Sequence, residues 1–543
     1  QSLTKNENQY LENENVTNEN QRRAGENESV LGIGNIKLNY TPNSKSKWFY
    51  NGQFQSTAND FESVLNSTLE TQNSYFKTLS SADIIQVKQF IEWHKQHNQK
   101  HTTTFVINQS YDSNKPQNTW FTDTEFLTGL IPLETDSFYT IQQVKKIKNN
   151  SIDALFKHYW ILNNFNHLYF NAGNNFGTSK LETTEKQFLT DGSTNDFSTG
   201  GFGNDIDYLL NDLYIGIEYK FKIGKWINKP AIYSHFYYLK TNQLSNDYSL
   251  NETLFEPRWN SEYEFNTSET IKFDYKLTND FPDATKLAER YTLQTYNSVF
   301  KGNALLKNER FHAASLNYSK TSMYKGLMLF ANAAFNKKIR TIRNEIELDG
   351  INQYTTPTIT DNPETNWRVS GNIDKKINKI RINFNTSLSW FNYIQTLNNE
   401  TSENRRNNQN FGLKLRTAVK KWPSASVSYN KTFSQFSGLT NSKLTSDRFS
   451  FDFDIDFWKH LNFKTDYEVT FNEDSYNQKT DFRIANAYLS YQKKNNPFRF
   501  ELSAQNYLNN TTKISNSFSD YMISSSTTYT LPRIVMLTIS YKL

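Results

Sequence analysis

The sequence predicts an all-β chain, a transmembrane antiparallel β-barrel, on three observations. The first is composition. The 543 residues are 15% aromatic but only 36% hydrophobic, with a mean hydropathy of −0.76. A soluble domain of this size needs roughly 45–50% apolar residues to fill its core. Disordered chains lack aromatics. A membrane barrel reconciles the two: alternate residues face lipid, the lumen is polar, and rings gather at both interfaces. The second observation is strand-period alternation, and the third is a regular exchange of very short and long connections.

Composition also excludes chemistry. With no cysteine, disulfides, thiolate–zinc sites, iron–sulfur clusters and cysteine nucleophiles are out. Sixty basic against 55 acidic residues leave a net charge of +5, too little over this length to argue for nucleic acid. No stretch approaches the roughly 20 apolar residues of a membrane helix.

The elements follow in chain order. Residues 1–30 are rich in Asn and Glu, show no apolar period, and read as a long loop on the outer side; the barrel is expected over 31–543. Leu213, Ile215, Ile217, Tyr219 and Phe221 alternate with Glu218, Lys220 and Lys222. Phe255, Trp259, Tyr263 and Phe265 alternate with Glu256, Arg258, Glu262 and Glu264. Ile380, Ile382, Phe384, Leu388 and Trp390 oppose Arg381, Asn383, Asn385 and Ser387, while Phe411, Leu413 and Leu415 oppose Lys414 and Arg416. The clearest strand is 447–457. Phe449, Phe451, Phe453, Ile455 and Phe457 lie on one face, with Arg448, Ser450, Asp452, Asp454 and Asp456 on the other. Leu461, Phe463, Tyr467, Val469 and Phe471 repeat it against Lys464, Asp466 and Glu468. The last strand presents Val535, Leu537, Ile539, Tyr541 and Leu543. Apolar faces about five residues long match a tilted membrane strand of roughly 9–11 residues, which a β-sandwich does not require.

Short turns are expected near 43–47, 97–101, 163–166, 223–229, 266–268, 320–325, 375–379, 420–424, 458–460 and 494–497. Long polar loops are expected near 58–84, 113–150, 178–207, 242–251, 280–308, 340–365, 394–406, 434–445, 472–479 and 509–531. One strand between each pair gives about 21. Single-chain bacterial barrels have even numbers of strands, so about 22 are expected, with a first strand upstream of residue 1. Barrels of about that size carry a plugged lumen.

Several stretches then look familiar. Gly302-Asn303-Ala304-Leu305-Leu306-Lys307-Asn308-Glu309 resembles a GNxxLKPE motif that leads into a strand. Asn506-Tyr507-Leu508-Asn509 resembles an Asn-Leu-Phe element, and Leu531-Pro532-Arg533 a Pro-Arg lead-in to the final strand. With 157–167 and 205–212 they run in order to the C-terminus. They resemble the barrel part of TonB-dependent outer-membrane receptors of the Bacteroidetes/Flavobacteria type, in the carboxypeptidase-regulatory-like subfamily. The terminal Leu543 departs from the usual Phe but still suits a lipid-facing position. The resemblance implies energised uptake of a large or scarce nutrient, a plug domain and TonB box upstream, the TonB complex as partner, and a surface lipoprotein capping the barrel. A scaffold or anchor in a surface assembly is the alternative.

Candidate site residues are few. Arg448, Asp452, Asp454 and Asp456, with Lys464 and Asp466 on the adjoining strand, form a lumen-facing charged ladder that could contact plug or substrate. Trp120, Phe121, Phe126, Phe197 and Phe202 in the outer loops could stack on a flat ligand. His94, His97 and His101 have a metal-like spacing but straddle a solvated turn, and residues 191–196 only superficially resemble a calcium loop, so no metal and no cofactor are expected. With no nucleophile–His–acid arrangement, HExxH, P-loop or dinucleotide fingerprint, no enzyme is expected.

Overall fold

A computed structural model describes every residue except 1, 13–14, 245, 420–422, 476, 494–495 and 543. The chain is all-β: among the described residues twenty-one antiparallel strands follow one another around a single sheet, from Asn15–Asn43 to Ile534–Tyr541. Each pairs with its neighbours in chain order. At the outer end the sheet meets itself, because Ser2–Glu12 pairs with Asn15–Asn43 on one side and with Met522–Tyr529 on the other.

The alternation places the side chains as expected. Ile215, Ile217, Phe255, Phe449, Leu537 and Ile539 all remain 45–66% exposed on the outside of the sheet. Their alternating neighbours Glu218, Glu256, Arg258 and Asp452 point into the lumen. A continuous exposed belt of this kind far exceeds the apolar patches that water-soluble proteins tolerate. At the short-turn end it is edged by rings: Trp48 lies tilted against Trp93 (centroids 5.7 Å apart), and Trp160 stacks on His101 (5.9 Å). Belt, girdle and polar lumen make this a membrane barrel of the outer-membrane type.

Short turns fall where expected, for example between Asn43 and Ser46 and between Ile223 and Trp226. The turns expected at 420–424 and 494–497 lie partly, and Leu543 wholly, outside the described residues.

The long loops need correction. Most of them are strand. Ser46–Leu69 and Gln72–Gln96 meet across two residues, and Ile380–Leu397 and Glu400–Thr417 turn on Asn398-Asn399. Both Asn residues have positive φ (49° and 63°), the conformation of a tight type I′ hairpin. Where described, the stretch expected as a loop over 1–30 is likewise paired strand, Ser2–Glu12 against Asn15–Asn43. The reason is physical. Above the membrane both faces of a strand meet water, so the backbone ladder forms without any apolar period to announce it.

Candidate functional site

Three outer connections, 123–138, 189–204 and 281–308, do behave as loops, and they fold together over the barrel mouth. Their shared core contains Phe126, Leu127, Ile131, Phe197, Phe202, Leu293, Tyr296 and Val299. It packs on lumen-facing residues at the outer strand ends, Leu65, Phe76, Trp120, Tyr139 and Ile141. The cap therefore bends inward. This corrects the ligand-stacking expectation: Trp120, Phe126, Phe197 and Phe202 are at most 6% exposed and offer no ring face to a ligand. Phe121 alone of the five is half-buried.

Polar residues stitch the cap. Asn204 Nδ2 donates to Arg290 O, Tyr291 O and Thr292 Oγ1, its Oδ1 accepts from Arg290 N (3.0 Å), and its backbone N donates to Thr183 Oγ1 (2.9 Å). One side chain thus ties two loops to the barrel wall. Gln143 Nε2 donates to Glu185 (2.9 Å) and to Leu293 O (2.8 Å). Burial holds the Glu185 carboxyl above the usual carboxylate range. At the outer end of Asn15–Asn43 the carboxylate of Glu19, 1% exposed, accepts from Tyr10 OH (3.0 Å), Gln21 Nε2 (2.8 Å), Ser67 Oγ and Tyr296 OH, the last from the cap core. Burial, then the Glu19 charge, push both phenols far above their ordinary range, so they remain donors.

The GNALLKNE stretch brings the third loop back to the wall. A Cβ on Gly302 would sit 2.5 Å from Ala288 O, so only glycine fits that crossing. Leu306 is fully buried, Asn308 Nδ2 donates to Asn279 Oδ1 (2.8 Å), and Glu309 opens the strand Glu309–Ser322 with Lys338 Nζ on its carboxylate at 2.8 Å. In the Asn506–Asn509 element, Asn506 Nδ2 donates to Asn510 O (2.9 Å) and Leu531 O (2.8 Å), ending one strand and steering the chain toward the last.

Below the cap the lumen wall carries a charged network the sequence reading did not single out. Glu218 receives Lys157 Nζ (3.2 Å), Lys229 Nζ (2.8 Å) and the Tyr233 hydroxyl. His235 lies between two carboxylates, with Nδ1 2.8 Å from Asp212 and Nε2 3.4 Å from Glu256, and between the stacked rings of Tyr214 and Tyr237. Arg258 pairs with Glu256 (3.1 Å) and covers the Tyr233 ring (4.3 Å). The tyrosines lie over glycines: a Cβ on Gly173 would meet Tyr214, and one on Gly216 would meet Tyr233, at 2.4 Å or less. A cavity of about 320 Å³ opens beside it, lined by Glu218, Lys229, Arg258, Asn260, Asp274 and Lys276. Each member is visible as one polar position of an alternating strand, but nothing in the sequence says that four strands align these positions.

The predicted ladder is present, with other partners. Asp452 stands opposite Asp466, and its cation is Lys414 at 4.0 Å, from a strand two places away. Lys464 is level with Asp454, but the donor on Asp454 is Asn462 Nδ2 (2.7 Å), which also reaches Asp456 (2.9 Å). Arg448 turns to Glu468 (3.6 Å), and Asn486 donates to Asp466 (2.7 Å). The side chains of Asp452 and Arg448 stay about half exposed (53% and 51%).

Of the three histidines His94 stands apart, while His97 and His101 share a backbone hydrogen bond (2.9 Å) and both lie beside His158, with ring centroids 6.5 and 5.3 Å from it. His94 Nδ1 lies 3.1 Å from Thr104 Oγ1, whereas His97 bonds Thr103 Oγ1 (2.9 Å) and His101 bonds His158 (3.1 Å). In the 191–196 segment the Asp191 carboxylate accepts from Ser193 N (2.8 Å) and Oγ (2.6 Å), and Asn195 Nδ2 donates to Pro132 O, so the loop's own donors and acceptors use these groups.

No protein-family model matches the chain, and no curated protein matches it. Among solved structures it is similar to a point mutant of the ferric enterobactin receptor of Pseudomonas aeruginosa (9% identity, TM-score 0.41, 97% of this chain and 80% of that one). It is also similar to the ferric-catecholate import receptor Fiu of E. coli K12 (10%, 0.45, 97% and 81%). A third is the ferric preacinetobactin receptor of Acinetobacter baumannii (10%, 0.44, 97% and 80%).

Proposed function

We propose that the protein is the barrel of a TonB-dependent transporter that takes up a large or scarce nutrient. The observation carrying this reading is the inward-folded cap over a wide polar lumen. A barrel of this strand number encloses a space that side chains alone do not fill, and it needs a plug to be selective. The cap narrows the approach from outside, and the exposed ladder Arg448, Asp452, Asp454, Asp456, Lys464 and Asp466 is a surface for plug or solute to contact. Phe121 is the remaining loop aromatic for a ligand. A plug domain and a TonB box on the same polypeptide complete the transporter, with the TonB complex as partner inside. A surface lipoprotein over the cap is the partner outside, and the Bacteroidetes-type motifs support that pairing.

The test is uptake by cells carrying the whole gene, with and without TonB, alongside planar-bilayer recording of the purified protein. Uptake lost without TonB, and no standing conductance, is the expected result. Energy-independent uptake through an open conducting pore would replace this reading with a porin. Unchanged uptake with loss of a co-purifying surface complex would replace it with a scaffold.

A further inference from the structure

The outside of the barrel carries a histidine cluster that transport does not use. On Tyr139–Ile161, Lys157 reaches Glu218 in the lumen at 3.2 Å, so Phe156, His158 and Trp160 face outward. Phe156 (44% exposed) belongs to the apolar belt and Trp160 (38%) to its short-turn edge. The adjoining strand sets Thr103 opposite His158 and His101 opposite Trp160, and the next sets Lys95 opposite Thr103. His101, His158 and Lys95 therefore stand on the lipid side, level with the ring girdle.

Hydrogen bonds join the histidines into a chain. His97 Nε2 lies 2.9 Å from Thr103 Oγ1, that hydroxyl 3.2 Å from His158 Nδ1, and His158 Nε2 3.1 Å from His101 Nδ1. The outer nitrogens, His97 Nδ1 and His101 Nε2, are not used within the chain. Exposed Lys95 and Lys100 flank it, and Lys45 comes alongside in the neighbouring turn, its carbonyl accepting from Gln96 N (2.7 Å). Glu92, His94 and Asp153 alternate to the lumen side, as does His167 beside Tyr169. Among the described residues no carboxylate comes within ion-pair reach of these three lysines or of His97, His101 and His158. Elsewhere on the same outward edge Lys320 sits on Glu269 at 2.9 Å.

We propose that this patch binds the phosphate of a phospholipid head group in the inner leaflet. The short-turn end of an outer-membrane barrel lies at the periplasmic leaflet, which is phospholipid. Cations without a counter-ion attract anionic head groups there, and ammonium and imidazole N–H groups are donors suited to phosphate oxygens. Interfacial tryptophans hold the boundary between head groups and acyl chains. An imidazolium donates from both nitrogens and adds charge, so binding strengthens as pH falls. The proposal depends on the barrel and its orientation, so it survives if the transport reading fails.

The test is native mass spectrometry of the purified whole protein titrated with phosphatidylglycerol, with inorganic phosphate or with zinc chloride. Lys95→Gln with Lys100→Gln is expected to weaken lipid binding about tenfold or more. His97→Asn, His101→Asn and His158→Asn together are expected to abolish the gain in lipid affinity between mildly alkaline and mildly acid pH. His94→Asn with His167→Asn, at the same depth but facing the lumen, is expected to change neither. Inorganic phosphate at equal concentration is expected to leave the lipid in place, because it lacks acyl chains for the belt to hold. Should the triple histidine variant fail to fold, the lysine pair decides. Equal lipid binding by wild type and the lysine variant overturns the proposal, as does a pH response that persists without the histidines. Displacement by inorganic phosphate would make this a site for soluble anions. Zinc uptake that needs the three histidines, with lipid binding unchanged by their loss, would make it a metal site. Either result also overturns it.

Discussion

Two stretches of the lumen wall treat their charges oppositely. On the strands from Tyr139 to Asn266, every acid named above has a cation or several donors within hydrogen-bond reach, and Glu218 and Glu256 are at most 7% exposed. On Asn441–Phe457, the ladder acids Asp452, Asp454 and Asp456 are partly or largely exposed and lean on an amide, the Ser426 hydroxyl and one distant lysine. The first wall is pinned by its charges. The second holds charges that water screens cheaply and that remain free to meet another surface.

Breaking the pinned wall gives the largest expected effect. Glu218→Ala strands two partly buried ammonium groups, and loss of one partner from a buried pair costs about 3–5 kcal/mol. A clear fall in the denaturant midpoint of the barrel in micelles checks it. Gly216→Ala drives a methyl group into the Tyr233 ring, an overpacking cost of about 1–3 kcal/mol. The pair Gly216→Ala with Tyr233→Ala is expected to recover part of that loss in the same assay. Asn204→Ala leaves buried groups of two loops unpaired, at about 1–3 kcal/mol. The readout is faster hydrogen exchange confined to 189–204 and 281–308.

A smaller effect comes from pH. The Glu185 carboxyl is raised in the folded cap, so its contribution is full below the ordinary carboxylate value and is lost as pH rises through the raised one. Cap protection is therefore expected to fall across that window, and Glu185→Gln is expected to flatten the fall. The smallest effect on stability belongs to the open wall. Asp452→Asn, Asp454→Asn and Asp456→Asn together are expected to shift the midpoint by less than about 1 kcal/mol, since exposed pairs contribute little. If uptake also stays unchanged, the ladder is ordinary lumen lining. A stability loss comparable to that of Glu218→Ala would erase the contrast between the walls.

The strand faces were legible because lipid and lumen impose a period of two wherever the barrel crosses the membrane. Legibility stopped at its surface. Residues 2–12 and 15–30 looked like loop because both of their faces meet water. The ladder residues were legible as one polar face, but Lys414 as the partner of Asp452 was not, because tilt and stagger decide which residues of other strands become neighbours. Trp120, Phe197 and Phe202 were legible as loop rings, yet their burial depends on three loops from different parts of the chain meeting.

By itself, then, the sequence determined the class of molecule, the faces of the membrane-crossing strands and the odd count of the wall, all of which follow from local alternation between two solvents. Only the tertiary structure decided that the loops bend inward around Asn204 and Glu19, and that Glu218 and His235 collect partners from separate strands. Those features are set by strand register and closure, which no single segment encodes.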